Sequence, residues 1–105
     1  MDVQQRIAQF KNMAEADPDN ELGHFSLGKA YQEAGQYDHA VASLRRTLEL
    51  NPGYSRAYHL LAQSQESQGD LKGAISTLER GYEVANDRGD IMPRNEMGEL
   101  LERLG

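Results

Sequence analysis

Residues 21–52 read ELGHFSLGKAYQEAGQYDHAVASLRRTLELNP, and the fold is decided in this stretch. Leu22, Phe25, Ala30 and Tyr31 recur among polar residues at helical spacing until Gly35 stops the run. Asp38 is placed to cap a second helix, whose apolar stripe is Val41, Leu44 and Leu48. Asn51-Pro52-Gly53 then ends that helix, because proline lacks a backbone donor and disfavours helix in the residue before it. The unit is a pair of helices with a glycine turn between them and a proline turn after them.

Working outward, the same pattern returns 34 residues away. Leu27 falls on Leu61, Gly35 on Gly69, Ala40 on Ala74 and Leu44 on Leu78. Backward, Phe10 matches Leu44, Ile7 matches Val41 and Ile75, and Pro18 matches Pro52. An acidic position recurs as Glu15, Glu49 and Glu83. The second unit repeats the plan with Ala57, Leu60, Leu61 and Ser64, then Gly69-Asp70, then Leu71, Ala74, Ile75, Leu78 and Tyr82. No stretch alternates with the period of two that marks a half-buried strand, so the fold class is all-α. From Asp87 onward the period fails, since Asn95 would take the place held by Leu27 and Leu61. Pro93 suits the first residue of a new helix, and Met97, Leu100, Leu101 and Leu104 give it one apolar stripe. That is the pattern of a terminal capping helix, apolar inward and charged outward.

Composition narrows the functional classes. The chain has 105 residues, 38% hydrophobic and 27% charged, with a net charge of −6 and only seven aromatic residues. A chain of this length makes one domain with a modest core, so its helices must pack efficiently. The acidic balance argues against nucleic acid as a partner, which calls for a basic footprint. With no cysteine there is no disulfide framework, thiolate metal site or cysteine nucleophile. No signal-peptide pattern opens the chain and no apolar run approaches a membrane span, so the expected compartment is the cytoplasm and no membrane partner is expected.

Residues 21–52 resemble a tetratricopeptide repeat: Leu27-Gly28 and Tyr31 on the first helix, Gly35 and Tyr37 at the turn, then Ala40, Leu44 and Pro52. His24 stands where that family usually has a leading tryptophan. Residues 55–86 depart further, with Ala62 for the glycine, Gln65 for the tyrosine, Gly81 for a small helix residue and Asn86 for the proline. Residues 1–20 match only the second helix of an earlier unit, with Arg6 in the place of a small alanine, which suggests a true N-terminal end. The resemblance implies one domain over residues 1–105: a right-handed helical-repeat solenoid of antiparallel helix pairs. Its parts are an N-terminal half-repeat helix (1–17), two repeats (21–52 and 55–86) and a capping helix (93–104). Gly28, Ala30, Ala40, Ala62 and Ala74 would let helices approach closely while Phe10, Leu44 and Leu78 fill the space between.

Signals for chemistry are weak beside this. Gly23-His24-Phe25-Ser26-Leu27-Gly28-Lys29-Ala30 imitates a phosphate-binding loop, but Ala30 replaces the hydroxyl residue and both glycines fall inside a helix. His24, His39 and His59 form no ligand spacing with each other or with carboxylates, so no metal or other cofactor is expected. There is no nucleophile elbow, and the expectation is a protein that is not an enzyme. Arg88-Gly89-Asp90 looks like an adhesion tripeptide, but a helix-ending glycine explains it.

In tetratricopeptide arrays the first helices of successive units line a concave groove that receives peptides or helices. Carried over, that groove would present Phe25, Lys29, Gln32 and Glu33, then Arg56, His59, Gln63 and Glu66, with Arg94 added by the final helix. An acidic protein that gathers Lys29, Arg56 and His59 on one face makes a local exception, suited to an acidic segment of another protein. The carboxylate-gripping set of some family members is not matched, since its places hold Phe25, Lys29, Leu60, Asp90 and Arg94. The expected function is therefore protein–protein interaction. The alternatives are a homodimerising self-association unit and the N-terminal adaptor domain of a longer enzyme or metal-handling protein.

Overall fold

The computed structural model describes residues 1–105 as six helices. They are α1 (Val3–Ala16), α2 (Glu21–Glu33), α3 (Tyr37–Leu50), α4 (Ser55–Ser67), α5 (Leu71–Arg88) and α6 (Ile91–Leu104). Each packs antiparallel on the next, and α2 also touches α4, as α4 touches α6. The chain is thus an all-α helical repeat in which α2, α4 and α6 stand side by side, backed by α1, α3 and α5.

The core climbs the stack in three levels. Ile7 and Ala14 of α1 meet Leu27 and Ala30 of α2. Phe25 and Leu44 then meet Ala57 and Leu61 of α4. Tyr58 and Ala62 meet Ala74, Leu78 and Ala85 of α5, and Met97 and Leu100 of α6 close that level. Leu44 and Leu78, one period apart, are both fully buried, as are Ala40 and Ala74. Close approach needs the missing side chains: a Cβ on Gly28 would lie 2.7 Å from Leu44 Cγ, and one on Gly81 would lie 2.6 Å from Met97 Sδ.

Three helix ends differ from the sequence expectation. Asp38 does not cap α3, because that helix begins at Tyr37 with Gln36 as the cap residue. The Asp38 carboxylate instead accepts a 2.7 Å hydrogen bond from the Gln68 amide. The cap expected of an Asp does form at α5, where Asp70 accepts from the Gly73 backbone at 2.9 Å. The second unit does not stop at residue 86. With Asn86 where α3 is followed by Pro52, nothing removes the next helical hydrogen bonds, and α5 runs 18 residues against 14 for α3. It ends at Gly89, whose φ of 73° is left-handed. Finally, α6 begins at Ile91, so Pro93 is the third residue of its first turn, where the missing donor still costs nothing.

These shifts reset the register. The connection before α4 has four residues, whereas only Gly89 and Asp90 separate α5 from α6. A helix four residues longer and a turn two residues shorter leave α6 two residues behind the 34-residue period. Met97-Gly98, not residues 95–96, therefore occupies the place of Leu27-Gly28 and Leu61-Ala62, and Met97 is fully buried. Two residues correspond to about 200° around a helix, enough to turn the opposite face toward α4.

The short turn is pinned by Asp90, whose carboxylate accepts from Ser55 Oγ at 2.7 Å and from Arg88 Nε at 3.1 Å. Those two bonds, Ser55 first, hold its pKa below the ordinary carboxylate value of 3.8. A folded-state pKa below the unfolded one adds stability that is present above the unfolded value and lost as pH falls through the folded one. Asp90→Asn should therefore lower the thermal midpoint at neutral pH, and the difference from the parent should shrink in melts taken at acid pH, as pH falls below the ordinary carboxylate value of 3.8 and through the lowered one. A difference that persists there would mean that the charge is not what Asp90 contributes.

Candidate functional site

Separate open recesses lie along the side-by-side first helices α2, α4 and α6. The first, about 230 Å³, is lined by Arg6 and Phe10 of α1 with Phe25, Ser26, Lys29, Ala30 and Glu33 of α2. A second, about 400 Å³, lies between α4 and α6 and is lined by Arg56, His59, Leu60, Gln63, Met92, Pro93 and Glu96. A third continues along the same seam past Glu99 and Leu100 to Arg103. The largest recess, about 500 Å³, opens at the loop end, where Tyr54, Arg56 and Arg88 face Ile91 and Met92.

The groove residues expected from sequence fall into two groups. Several are engaged within the protein. Gln32 gives its amide to the Leu60 carbonyl at 2.9 Å and to Ser64 Oγ at 3.0 Å, so it ties α2 to α4. Glu33 is closed by Arg6 at 2.8 Å. Glu66 takes the Arg103 guanidinium on both oxygens, at 3.0 and 3.3 Å. Phe25, expected to offer open apolar contact, is only 7% exposed. Its ring stacks on Tyr54 with centroids 4.6 Å apart, and it lines the first recess. Helical spacing could not show that Tyr54, from the loop between α3 and α4, stacks on its face.

The others are available. Lys29 is exposed beside the first recess. Arg56 is exposed, with its guanidinium carbon 5.8 Å from the Phe25 ring centroid, a cation–π contact, and it makes no ion pair. Gln63 lines two recesses. His59 is half-buried with Nδ1 3.5 Å from Glu96 Oε2. Burial pushes its pKa below 6.5, against the pull of Glu96 and with the help of Arg56, so the ring is neutral at pH 7 and adds no charge to the groove.

Arg94 is a correction. Its guanidinium donates to Asn86 of α5 at 3.1 Å and to the neighbouring Asn95, away from the groove. The α6 residues that line the recesses are Met92, Pro93, Glu96, Glu99, Leu100 and Arg103, and Met92, Glu96 and Glu99 are the exposed ones without a strong internal partner. Sequence reasoning missed all three because it carried the 34-residue period across a boundary where the register slips by two.

Other signals resolve locally. Gly23 and Gly28 both lie inside α2, so the apparent phosphate loop is helix. His24 Nε2 sits 2.8 Å from the Pro18 carbonyl, and His39 stacks on Tyr31. No group of three or more His, Asp or Glu side chains converges to hold a metal, and no helix is long and apolar enough to cross a membrane.

A family model described as a tetratricopeptide repeat matches residues 25–91. The TPR repeat-containing protein PA0015 of Pseudomonas aeruginosa is 36% identical over 98 residues, covering 93% of each chain. The solution structure of protein BPP2914 from Bordetella parapertussis superposes with a TM-score of 0.81 at 37% identity, over 93% of this chain and 85% of that one. The Yersinia enterocolitica type III secretion chaperone SycD, in complex with a peptide of the translocator YopD, superposes with a TM-score of 0.90. Its identity is 22% over 97% of this chain and 79% of its own, a likeness of fold.

Proposed function

This chain belongs to the tetratricopeptide repeat family, and from that premise we propose that it is a protein–protein interaction module that docks a segment of a partner in the groove along α2, α4 and α6. The observation that supports the reading is a row of open recesses along these first helices, one at α1–α2 and two at α4–α6, in which Lys29, Arg56 and Gln63 are not used up by internal pairing. A partner segment gains hydrogen bonds and charge pairing from those side chains and apolar contact from Leu60 and Met92. SycD, which has this fold, is described bound to a peptide.

Lys29→Glu with Arg56→Glu tests the reading. Both residues are exposed, so helicity should be unchanged and the stability loss should stay near the roughly 0.5–1 kcal/mol of the Arg56–Phe25 cation–π contact that is removed. Capture of partner proteins by the intact chain should fall sharply, and capture by the parent should weaken as salt rises, because exposed charges are screened over about 10 Å at ~0.1 M. Equal recovery of the same partners by parent and variant would move the working surface elsewhere. In that event the molecular mass in solution would report directly on self-association.

A further inference from the structure

We infer that the groove is built for a segment of mixed charge: read from α2 toward α6, an acidic residue, then an apolar one, then a basic one. The inference deepens the docking role proposed above and rests on it. On α2 and α4 the unpaired charges that line recesses are both positive, Lys29 in the α1–α2 recess and Arg56 on the α4 wall of the α4–α6 recess. At the α6 end they are both negative, Glu96 and Glu99, each exposed. None of Lys29, Arg56 and Glu99 takes part in an ion pair, and the one partner of Glu96 is His59. Because burial keeps that imidazole neutral at pH 7, the Glu96 charge is uncompensated.

Between the two ends, Leu60, Met92 and Pro93 supply the apolar part of the recess, beside His59 and Gln63. Arg56 and Glu96 line one recess together with Leu60, Met92 and Pro93, yet they do not bond to each other. Met92 is 71% exposed there, a cost that a docked apolar side chain would remove. The groove charges that could blur this polarity are already neutralised, Glu33 by Arg6 and Arg103 by Glu66. A uniformly acidic segment would meet Glu96 and Glu99, and a uniformly basic one would meet Lys29 and Arg56, so like-charge contacts exclude both. The long axis of the molecule is 36 Å. An extended segment of about eleven residues spans such a length at about 3.3 Å each.

The experiment is selection from a displayed library of random peptides of about twelve residues, long enough to span the groove when extended. It is run on the full chain and on two folded double variants, Lys29→Glu/Arg56→Glu and Glu96→Lys/Glu99→Lys. Peptides enriched by the parent should carry Asp or Glu and Lys or Arg on either side of an apolar residue. Each double variant should reverse the preferred sign at one end only and weaken a parent-selected peptide by about tenfold. If the parent enriches peptides of a single sign, or Glu96→Lys/Glu99→Lys leaves the pool unchanged while Lys29→Glu/Arg56→Glu alters it, the mixed-charge inference falls and groove docking stands. If nothing enriches, or neither variant changes the pool, groove docking itself falls, and the inference with it.

Discussion

A chain ended at Asp90 is expected to melt well below the full chain and to self-associate. Removing α6 takes away Met97, fully buried, and Leu100, 6% exposed, from the cluster formed by Tyr58, Ala62, Ala74, Leu78 and Ala85. Burial of one such side chain is worth about 1.5–3 kcal/mol, so the two together contribute on the order of 3–6 kcal/mol. That is comparable with the whole stability of many small domains, about 5–15 kcal/mol. The newly exposed face is Tyr58, Leu78 and Ala85, since Leu71 is already 49% exposed with α6 in place. Calorimetry and size exclusion read the two effects separately. Met97→Asp in the full chain should reproduce the lower midpoint, because it buries a charge without a partner. A truncated chain with the parent's midpoint and elution volume would make α6 an appendage.

The second large effect lies at the α2–α3 crossing. Leu44→Ala should cost about 2–5 kcal/mol, the range for a fully buried leucine whose site cannot collapse completely. Collapse is limited here because Leu44 is wedged between the Gly28 backbone and the side chains of Phe25, Ala57 and Leu61. Gly28→Ala should also destabilise, since the added methyl would sit 2.7 Å from Leu44 Cγ and 2.9 Å from Leu44 Cδ2. The two changes are coupled: with Leu44 shortened, the methyl at residue 28 has room and restores part of the lost contact. Denaturant titrations of the four proteins should therefore show the double variant more stable than the sum of the single losses predicts, by about 1 kcal/mol or more. Simple additivity would mean that Gly28 is not the seat of Leu44.

The repeated core was legible because its signals are local. Ala40 and Ala74, Leu44 and Leu78, and the turn glycines Gly35 and Gly69 stand one period apart in the sequence, and each does the same work in the structure. At α6 the lining of the recesses departs from that period. Lys29 lines the α1–α2 recess and Arg56, His59 and Gln63 line the α4–α6 recesses with Glu96 and Glu99, whereas Arg94 bonds to Asn86. One missing proline at residue 86 accounts for the error, since it lets α5 grow by a turn and rotates α6 by about 200°.

Sequence by itself determined that this chain is a stack of antiparallel helix pairs with small residues at the crossings. Helical periodicity, glycine stops and proline stops act within a few residues and need no distant partner to be read. Only the tertiary structure decided which face of α6 meets the groove, because the choice depends on how Met97 and Leu100 seat against α4 and α5. It also decided which charges remain available for a partner. Arg6 closes on Glu33, Arg103 on Glu66 and Gln32 on Ser64, partners separated by 27 to 37 positions along the chain that are brought together only by packing. A charge in a sequence carries no mark of whether folding will neutralise it.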